Sequence, residues 1–280
     1  MIELHDVTVR FGEKLVLDGF SLDILPGKTT VICGQSGSGK SVLLKVIIGL
    51  IRPSAGTVRL FGQDIWEIDE FEVVQLRKRM SMLFQNYALL DSMTVEQNVG
   101  FSLAENTRMK RSEVHRRAFE LLAELGLEGA EQKVPSELSG GMKKRVSLAR
   151  ALVTNPEIVL FDEPTTGLDP IMTEKVDEML MQARQRYEIT SVVISHDVAS
   201  TRRLADRVAM LHEGKIIASG TWDELCALDE PRIAYFVESG ISRLSRSDVD
   251  DEQSEPTLVE SEPPEAPALP EASAPPEASP

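Results

Sequence analysis

The sequence TTVICGQSGSGKSV at residues 29–42 contains the most informative pattern in the chain. Its first part, Thr29 to Cys33, is short, β-branched and apolar, as is typical of a buried strand, and residues 41–50 have the apolar spacing of a helix. The loop between them fits GxxxxGK[ST]. Such a loop predicts phosphate binding, because glycines let backbone N–H groups curl around phosphate oxygens and the helix directs its positive end at the same anion.

The residues of this loop have separate predicted roles. Lys40 reaches the β and γ phosphates of a nucleotide, and the hydroxyl of Ser41 is a ligand for Mg²⁺. A Gly/Ser loop without a ligand is the alternative, but the strand before it and the helix after it favour binding. The predicted binding residues are Gly34, Gln35, Ser36, Gly37, Ser38, Gly39, Lys40, Ser41 and Val42.

Two carboxylates follow a second apolar strand at residues 157–161. Ligands bind at the carboxyl ends of parallel strands, which is where Asp162 and Glu163 are predicted to lie. We expect Asp162 to hold the hydration shell of Mg²⁺ and Glu163 to act as general base on the attacking water. The alternative, an acidic strand end without function, explains one carboxylate better than two.

The remaining elements predict an α/β fold with a largely parallel sheet, since short buried strands alternate with helices. From about Tyr87 to Thr154 the pattern is helical. Ser112 is the predicted N-cap of a helix that runs to Leu125, and Ser139 is the predicted N-cap of another. The start of that second helix, Ser139-Gly140-Gly141, is either a second anion site or a simple capped helix. The basic run at residues 143–145 is typical of a solvated helix face.

Charge and composition narrow the class of protein. The chain has 45 acidic and 30 basic residues, and residues 247–280 contain 10 of the acidic residues, no basic residue and 8 of the 15 prolines. That tail cannot bury enough apolar surface to fold, so we expect it to be disordered. The remainder has no basic stripe, which argues against a nucleic-acid partner. Without a signal peptide or a membrane-spanning run, the chain is expected to be soluble and cytoplasmic.

The order of these motifs, together with Gln85, Gly167-Leu168-Asp169 and His196, resembles the ATPase subunit of ABC transporters over about residues 1–225. The resemblance implies a P-loop NTPase core with a mixed, largely parallel sheet, an inserted helical subdomain at about 88–154 and an antiparallel β part at the N-terminus. It also implies ATP and Mg²⁺ as cofactors. The ATPase domain is expected to span residues 1–240.

The resemblance further implies a second copy of the chain, with two ATP molecules sandwiched head to tail. Ser139, Gly140 and Gly141 then bind the ATP of the other copy. The other implied roles are adenine stacking for Phe11, Mg²⁺ and water contact for Gln85, dimer coupling for Asp169 and γ-phosphate contact for His196. Taken alone, Phe11 could be a core aromatic, Gln85 a turn residue and His196 a strand-end histidine.

One departure from the family pattern points to a subfamily. The fifth residue of the LSGGQ motif is Met142, and with residues 84–99 and 137–145 it resembles the ATPases of MCE-associated, Mla-type lipid transporters. That resemblance implies a multispan permease, an MCE-domain protein and a STAS-domain protein as partners, at the cytoplasmic face of the inner membrane. A motor for import of a polar nutrient is the alternative. A soluble ABC ATPase acting on DNA or ribosomes is disfavoured by the single P-loop and the absence of a long heptad run.

The segment after the ATPase core, residues 225–246, has apolar residues at helical spacing: Ile233, Phe236 and Val237. This spacing predicts a short amphipathic helix. We expect it to pack on a partner or on the second copy.

Overall fold

A computed structural model describes residues 1–35 and 37–238. Ser36, the end of the predicted extension at 239–246 and the acidic segment 247–280 lie outside the described residues. The contacts of the chain divide it into two units, Met1–Ser242 and Arg243–Pro280. All described residues belong to the first.

The described residues form ten strands and eight numbered α-helices, followed by a further helical segment at residues 231–238. The strands are β1 (Ile2–Phe11), β2 (Lys14–Ile24), β3 (Thr29–Cys33), β4 (Ala55–Leu60), β5 (Gln63–Asp64), β6 (Met80–Leu83), β7 (Ile158–Asp162), β8 (Thr190–Ser195), β9 (Arg207–His212) and β10 (Lys215–Gly220). The helices are α1 (Lys40–Ile47), α2 (Glu70–Lys78), α3 (Val95–Asn106), α4 (Arg111–Glu124), α5 (Gly140–Leu152), α6 (Pro170–Tyr187), α7 (Val198–Leu204) and α8 (Trp222–Cys226).

These strands form two sheets. The larger has the order β10-β9-β3-β8-β7-β6, in which all neighbours are parallel except β10 and β9. The smaller is antiparallel, with the order β2-β1-β4-β5. The predicted α/β class, the largely parallel sheet and the antiparallel N-terminal part are therefore confirmed.

The larger sheet separates two apolar cores. Along β3, Ile32 packs with the antiparallel sheet and α1, whereas Val31 packs with α3, α5 and α6 on the other face. Leu160 and Val159 divide between the same two cores along β7. Every residue of β3 and β8 is buried, because helices or a second sheet cover both faces of a parallel sheet.

The helices between β6 and β7 are α3, α4, a short 3₁₀ turn at Pro135–Glu137 and α5. Ser139 caps α5 as predicted, with its Oγ accepting a hydrogen bond from the backbone N–H of Met142 at 3.3 Å. The predicted cap of α4 is wrong. The carbonyl of Lys110 accepts the N–H groups of Glu113 and Val114 at 2.9 and 3.0 Å, so the helix begins before Ser112.

The basic run at 143–145 is not a solvated face, contrary to the prediction. Lys144 is only 2% exposed. Arg145 donates hydrogen bonds to the carbonyls of Leu125 and Gly126 at 3.2 and 3.0 Å, which satisfies acceptors at the end of α4. Lys144 lies one turn before the buried Leu148 on α5, so the two side chains lie on the same face of the helix. The sequence predicted a solvated face because three basic residues are adjacent there.

The predicted amphipathic segment is helical at residues 231–238. Ile233 is 3% exposed, and Phe236 and Val237 pack with it against Val208 and Met210 of β9. Its apolar face thus packs on the same chain, with Ile233 buried and Phe236 and Val237 half-buried, and contact with a partner or a second copy stays a prediction. Among the described residues, no helix combines the length and apolarity that a bilayer crossing requires.

One buried amide ties the start of α3 to the loop before it. Asn98 is 0% exposed. Its Oδ1 accepts the N–H of Leu90 at 2.7 Å, and its Nδ2 donates to the carbonyls of Leu90, Met93 and Thr94 at 3.0, 3.1 and 3.0 Å. The path of residues 90–94 therefore depends on this side chain.

Asn98→Ala is expected to lower the free energy of unfolding by about 2–3 kcal/mol, because it removes four hydrogen bonds to partly buried backbone groups and leaves a cavity at a buried position. Asn106→Ala is the matched control, since that exposed asparagine at the end of the same helix makes one bond, to the carbonyl of Ser102 at 3.1 Å. The control should change stability by less than about 0.5 kcal/mol. Urea denaturation of both variants checks this, and equal midpoints would contradict it.

Candidate nucleotide-binding site

An open groove of about 520 Å³ lies at the carboxyl ends of β3 and β7. It has the size typical of small-molecule sites. Its lining residues are Phe11, Lys14, Leu15, Val16, Gly37, Ser38, Gly39, Lys40, Ser41, Val42, Glu163, Glu213 and Gly214. The structure therefore brings together most of the predicted loop, Phe11 and Glu163.

The loop before α1 needs glycine at two positions. Gly34 has φ +154°, and a Cβ there would lie 2.2 Å from the carbonyl oxygen of Leu211. Gly39, the N-cap of α1, has φ +108°, and a Cβ there would lie 3.0 Å from the carbonyl oxygen of Val16. No side chain caps α1 and its first turn holds no acidic residue, so its positive end is available to an anion.

The side chain of Lys40 lies inside the loop. It is 5% exposed, and its Nζ donates hydrogen bonds to the carbonyls of Gly34 and Gln35, both at 2.8 Å. Burial lowers the pKa of Lys40, while the charges of Glu163 and Asp162 act to raise it. The ammonium is thus held at the floor of the groove, facing the carboxylates.

The two carboxylates at the end of β7 differ in environment. Burial raises the pKa of Asp162, the charge of Glu163 adds to that rise, and Lys40 and Lys45 oppose it. Glu163 has φ +48°, a conformation that costs a non-glycine residue about 1 kcal/mol or more and that clusters at functional sites. Its backbone N–H donates to the carbonyl of Ile194 at 3.1 Å, which holds this strained position against β8.

Each oxygen of the Glu163 carboxylate has a side-chain neighbour. Its Oε2 accepts a hydrogen bond from the hydroxyl of Thr166 at 2.9 Å, and its Oε1 lies 3.5 Å from Nδ1 of His196. These two neighbours orient the carboxylate, as a general base requires.

The groove fits a nucleoside triphosphate and Mg²⁺. The hydroxyl of Ser38 is buried and has no hydrogen-bond partner in the described structure, as expected of a donor that awaits an anion. No group of three or more His, Cys, Asp or Glu residues able to hold a metal occurs within residues 1–35 and 37–238. Mg²⁺ does not need one, because it binds through one or two protein oxygens together with phosphates and water.

Three predicted elements are not among the residues that line this groove. Gln85 is exposed on the loop after β6, Ser139 to Gly141 form the start of α5 with Gly141 half-buried, and Asp169 is the N-cap of α6. The carboxylate of Asp169 accepts the N–H of Met172 at 2.9 Å. Within one chain these residues do not complete the site.

Sequence reasoning missed the wall opposite the loop, formed by Lys14 to Val16 and the turn at Glu213 and Gly214. A Cβ on Gly214 would lie 2.5 Å from the carbonyl oxygen of Val16, so the turn between β9 and β10 packs directly on β2. The hairpin around Gly214 is visible in the sequence, but its approach to a distant strand is not. Thr166 was missed for the same reason.

The chain is similar to known proteins over most of its length. Residues 17–166 match the ABC transporter family. The chain is 38% identical to the probable ribonucleotide transport ATP-binding protein mkl of Mycobacterium leprae, over 92% of this chain and 74% of the relative. It is 37% identical to the intermembrane phospholipid transport system ATP-binding protein MlaF of Escherichia coli, over 85% of this chain and 88% of the relative.

Solved structures agree with these relatives. The dimeric, post-hydrolysis ATP-binding cassette MJ0796 with bound ADP and Pi aligns with a TM-score of 0.71 and 33% identity, over 79% of this chain and 98% of that one. The structure of cbiO1 from Clostridium perfringens aligns with a TM-score of 0.74 and 27% identity, over 89% of this chain and 98% of that one.

Lys40→Ala is expected to weaken ATP binding by about 10- to 100-fold, the loss of hydrogen bonds from a charged donor to phosphate. Lys45→Ala is the matched control: that lysine is exposed on α1 and does not line the groove. Titration with a fluorescent ATP analogue measures both. Equal affinities of the two variants would argue against phosphate binding by Lys40.

Proposed function

This chain belongs to the ABC transporter family of ATP-binding proteins and is the ATPase motor subunit of such a transporter, and from that premise we propose that it powers transport of phospholipids by a membrane permease. The observation that carries the proposal is the similarity to MlaF, 37% identity along 85% of this chain and 88% of the relative. Met142, in place of the usual glutamine, agrees with that subfamily. Its side chain packs into the core shared by α3, α5 and α6.

The groove supports a specific arrangement of ATP. The phosphates bind the backbone N–H groups of the loop and the ammonium of Lys40, while Phe11, which is 50% exposed, is free to stack on the adenine. Ser41, Asp162 and Gln85 would hold Mg²⁺ and its hydration shell, and the ion would neutralise charge on the phosphates.

Glu163 accepts a proton from the attacking water. Thr166 and His196, at 2.9 and 3.5 Å from its two oxygens, keep the carboxylate pointed into the groove. His196 has a half-exposed ring and contacts the γ-phosphate. A base that is already oriented needs no rearrangement when the water attacks.

A second copy of the chain completes the site. Ser139, Gly140 and Gly141 of one copy bind the γ-phosphate held by the other, and Asp169 crosses the interface. This part of the proposal is supported by the exposure of Ser139, Gly140 and Asp169, by the absence of acidic residues in the first turn of α5, and by the likeness to a dimeric cassette. The positive end of a helix suits an anion brought by a partner.

The permease docks on the helices between β6 and β7. A second groove, of about 810 Å³, runs along α3 and the start of α4, and its wall includes Met93, Gly100 and the 37% exposed Phe101. Flexible and aromatic side chains of this kind suit an adaptable protein contact. We place the protein at the cytoplasmic face of the inner membrane, with an MCE-domain protein and a STAS-domain protein as further partners.

A polar cargo is the second candidate. It is favoured by the 38% identity to mkl, whose name assigns that relative to ribonucleotide transport. Tagging the protein, extracting its complex gently from the native membrane and identifying bound proteins and lipids by mass spectrometry separates the two. An MCE-domain protein with a permease and phospholipid supports lipid transport, whereas a soluble substrate-binding protein indicates nutrient import.

Glu163→Gln is expected to retain ATP binding, to lose turnover by about 10²–10⁴-fold, and to accumulate an ATP-bound dimer. The glutamine keeps the size of the side chain but cannot accept the proton. Glu120→Gln, on the exposed face of α4, is the control. Phosphate release and size-exclusion chromatography with ATP measure both effects, and parental turnover in the Glu163 variant would require a different base.

A further inference from the structure

The loop after β6 is held by one face of α5. Lys144, Ser147 and Arg150 lie three residues apart on that face, and all three contact Tyr87. The Nζ of Lys144 lies 5.7 Å from the centre of the Tyr87 ring. Ser147 Oγ and Arg150 Nη2 each donate to the Tyr87 carbonyl at 3.0 Å, and Arg150 also donates to the carbonyl of Ala88.

The backbone at this contact is strained. Tyr87 has φ +60° and Ala88 has φ +48°, two consecutive non-glycine residues in the left-handed region. Such conformations persist only where the surroundings determine them. The donors from α5 supply that constraint, so the shape of the turn depends on the position of the helix.

Tyr87 connects two predicted parts of the ATP site. It follows Gln85 by two residues, and its hydroxyl lies 3.9 Å from where a Cβ of Gly140 would be. Gln85 belongs to the metal side of the site, whereas Gly140 starts the helix that faces the other copy. One side chain therefore spans the gap between the loop and the helix start.

We propose that Tyr87 and Lys144 are positioning residues for ATP hydrolysis, which hold the loop carrying Gln85 in register with the helix start at Ser139 to Gly141. This inference rests on the proposed ATPase function. Neither residue lines the 520 Å³ groove, so both act on turnover through the residues they hold.

The surroundings of Lys144 explain why its charge matters. It is 2% exposed and faces the charge of Asp177, a 0% exposed residue of α6. Asp177 accepts hydrogen bonds from Ser200 at 2.8 Å and from Arg203 at 2.5 Å, both on α7. The ammonium of Lys144 thus lies near the Tyr87 ring and feels the charge of a carboxylate that joins the helix after Asp169 to the helix after His196.

The other charged groups near this carboxylate are Asp197 at the start of α7, whose charge raises the pKa of Asp177, and Glu174, which lies 4.0 Å from Arg203. Burial, the largest cause, lowers the pKa of Lys144 to about 8, although Asp177 opposes the fall. The ammonium is therefore mostly present at pH 7 and mostly lost at pH 9. Because this pKa lies below the ordinary lysine value, the charged form opposes folding at pH 7, so an apolar replacement is not expected to destabilise the chain.

The test compares Lys144→Met and Lys144→Arg with the parent protein. Lys144→Met should lower kcat by about 5- to 100-fold at pH 7, the range that small misplacement of reacting groups causes, while affinity for a fluorescent ATP analogue stays within about twofold. The kcat of the parent should fall by about tenfold from pH 7 to pH 9, following the protonated fraction of a group with a pKa of about 8. Lys144→Arg should retain activity at pH 7 and lose that decline.

Two further measurements do not depend on turnover. In the parent with ¹³Cε-labelled lysine, one NMR resonance should titrate near pH 8 and be absent in Lys144→Arg. Tyr87→Ala should reproduce the loss of kcat in Lys144→Met, and the two changes together should cost no more than one alone, since both break the same contact. Lys143→Met, on the neighbouring half-buried lysine, is the matched control and should behave as the parent.

The outcomes separate this inference from the proposed function. A parent protein that binds ATP but does not hydrolyse it alone or with its membrane partners contradicts the proposed function. A parent that hydrolyses ATP, with Lys144→Met matching its turnover and its pH profile, overturns the positioning role only.

Discussion

The close packing of the loop at residues 34–39 constrains the rest of the structure. Gly34 lies against the carbonyl of Leu211 on β9, and Gly39 lies against the carbonyl of Val16 on β2. Neither contact leaves room for a Cβ without a shift. The loop therefore packs between the two sheets. Its phosphate-binding conformation depends on the positions of the antiparallel sheet and of the β9–β10 hairpin.

Charge placement within this frame follows from partial burial. Lys40 is held by two loop carbonyls at 2.8 Å, close to the carboxylates that end β7. Burial disfavours charge on Lys40 and on Asp162, while their mutual attraction opposes that effect. A phosphate group and a divalent cation entering together would satisfy both sets of charges, which is why the two ligands suit the same groove.

Helix α5 links this groove to the other functional elements. Its first residues are the ones proposed to face a second copy. Its next turns donate hydrogen bonds to the strained loop after Gln85. Lys144 faces Asp177, which is bonded to α7. Helix α5 thus contacts the loop directly and lies near the carboxylate that joins α6 to α7, which is the kind of packed connection that a motor needs between binding and transport.

The sequence by itself determined the fold class, the loop, the two carboxylates and the family, because each depends on residue type at a short spacing. Local patterns also located β3, the cap at Ser139 and the β9–β10 hairpin. Tertiary structure alone decided that Lys144 is buried and that the helix at 231–238 packs on its own chain. It also decided that Val16, Thr166 and Gly214 belong to the site. These features depend on which distant surfaces meet, and a single sequence carries no local signal of such long-range packing.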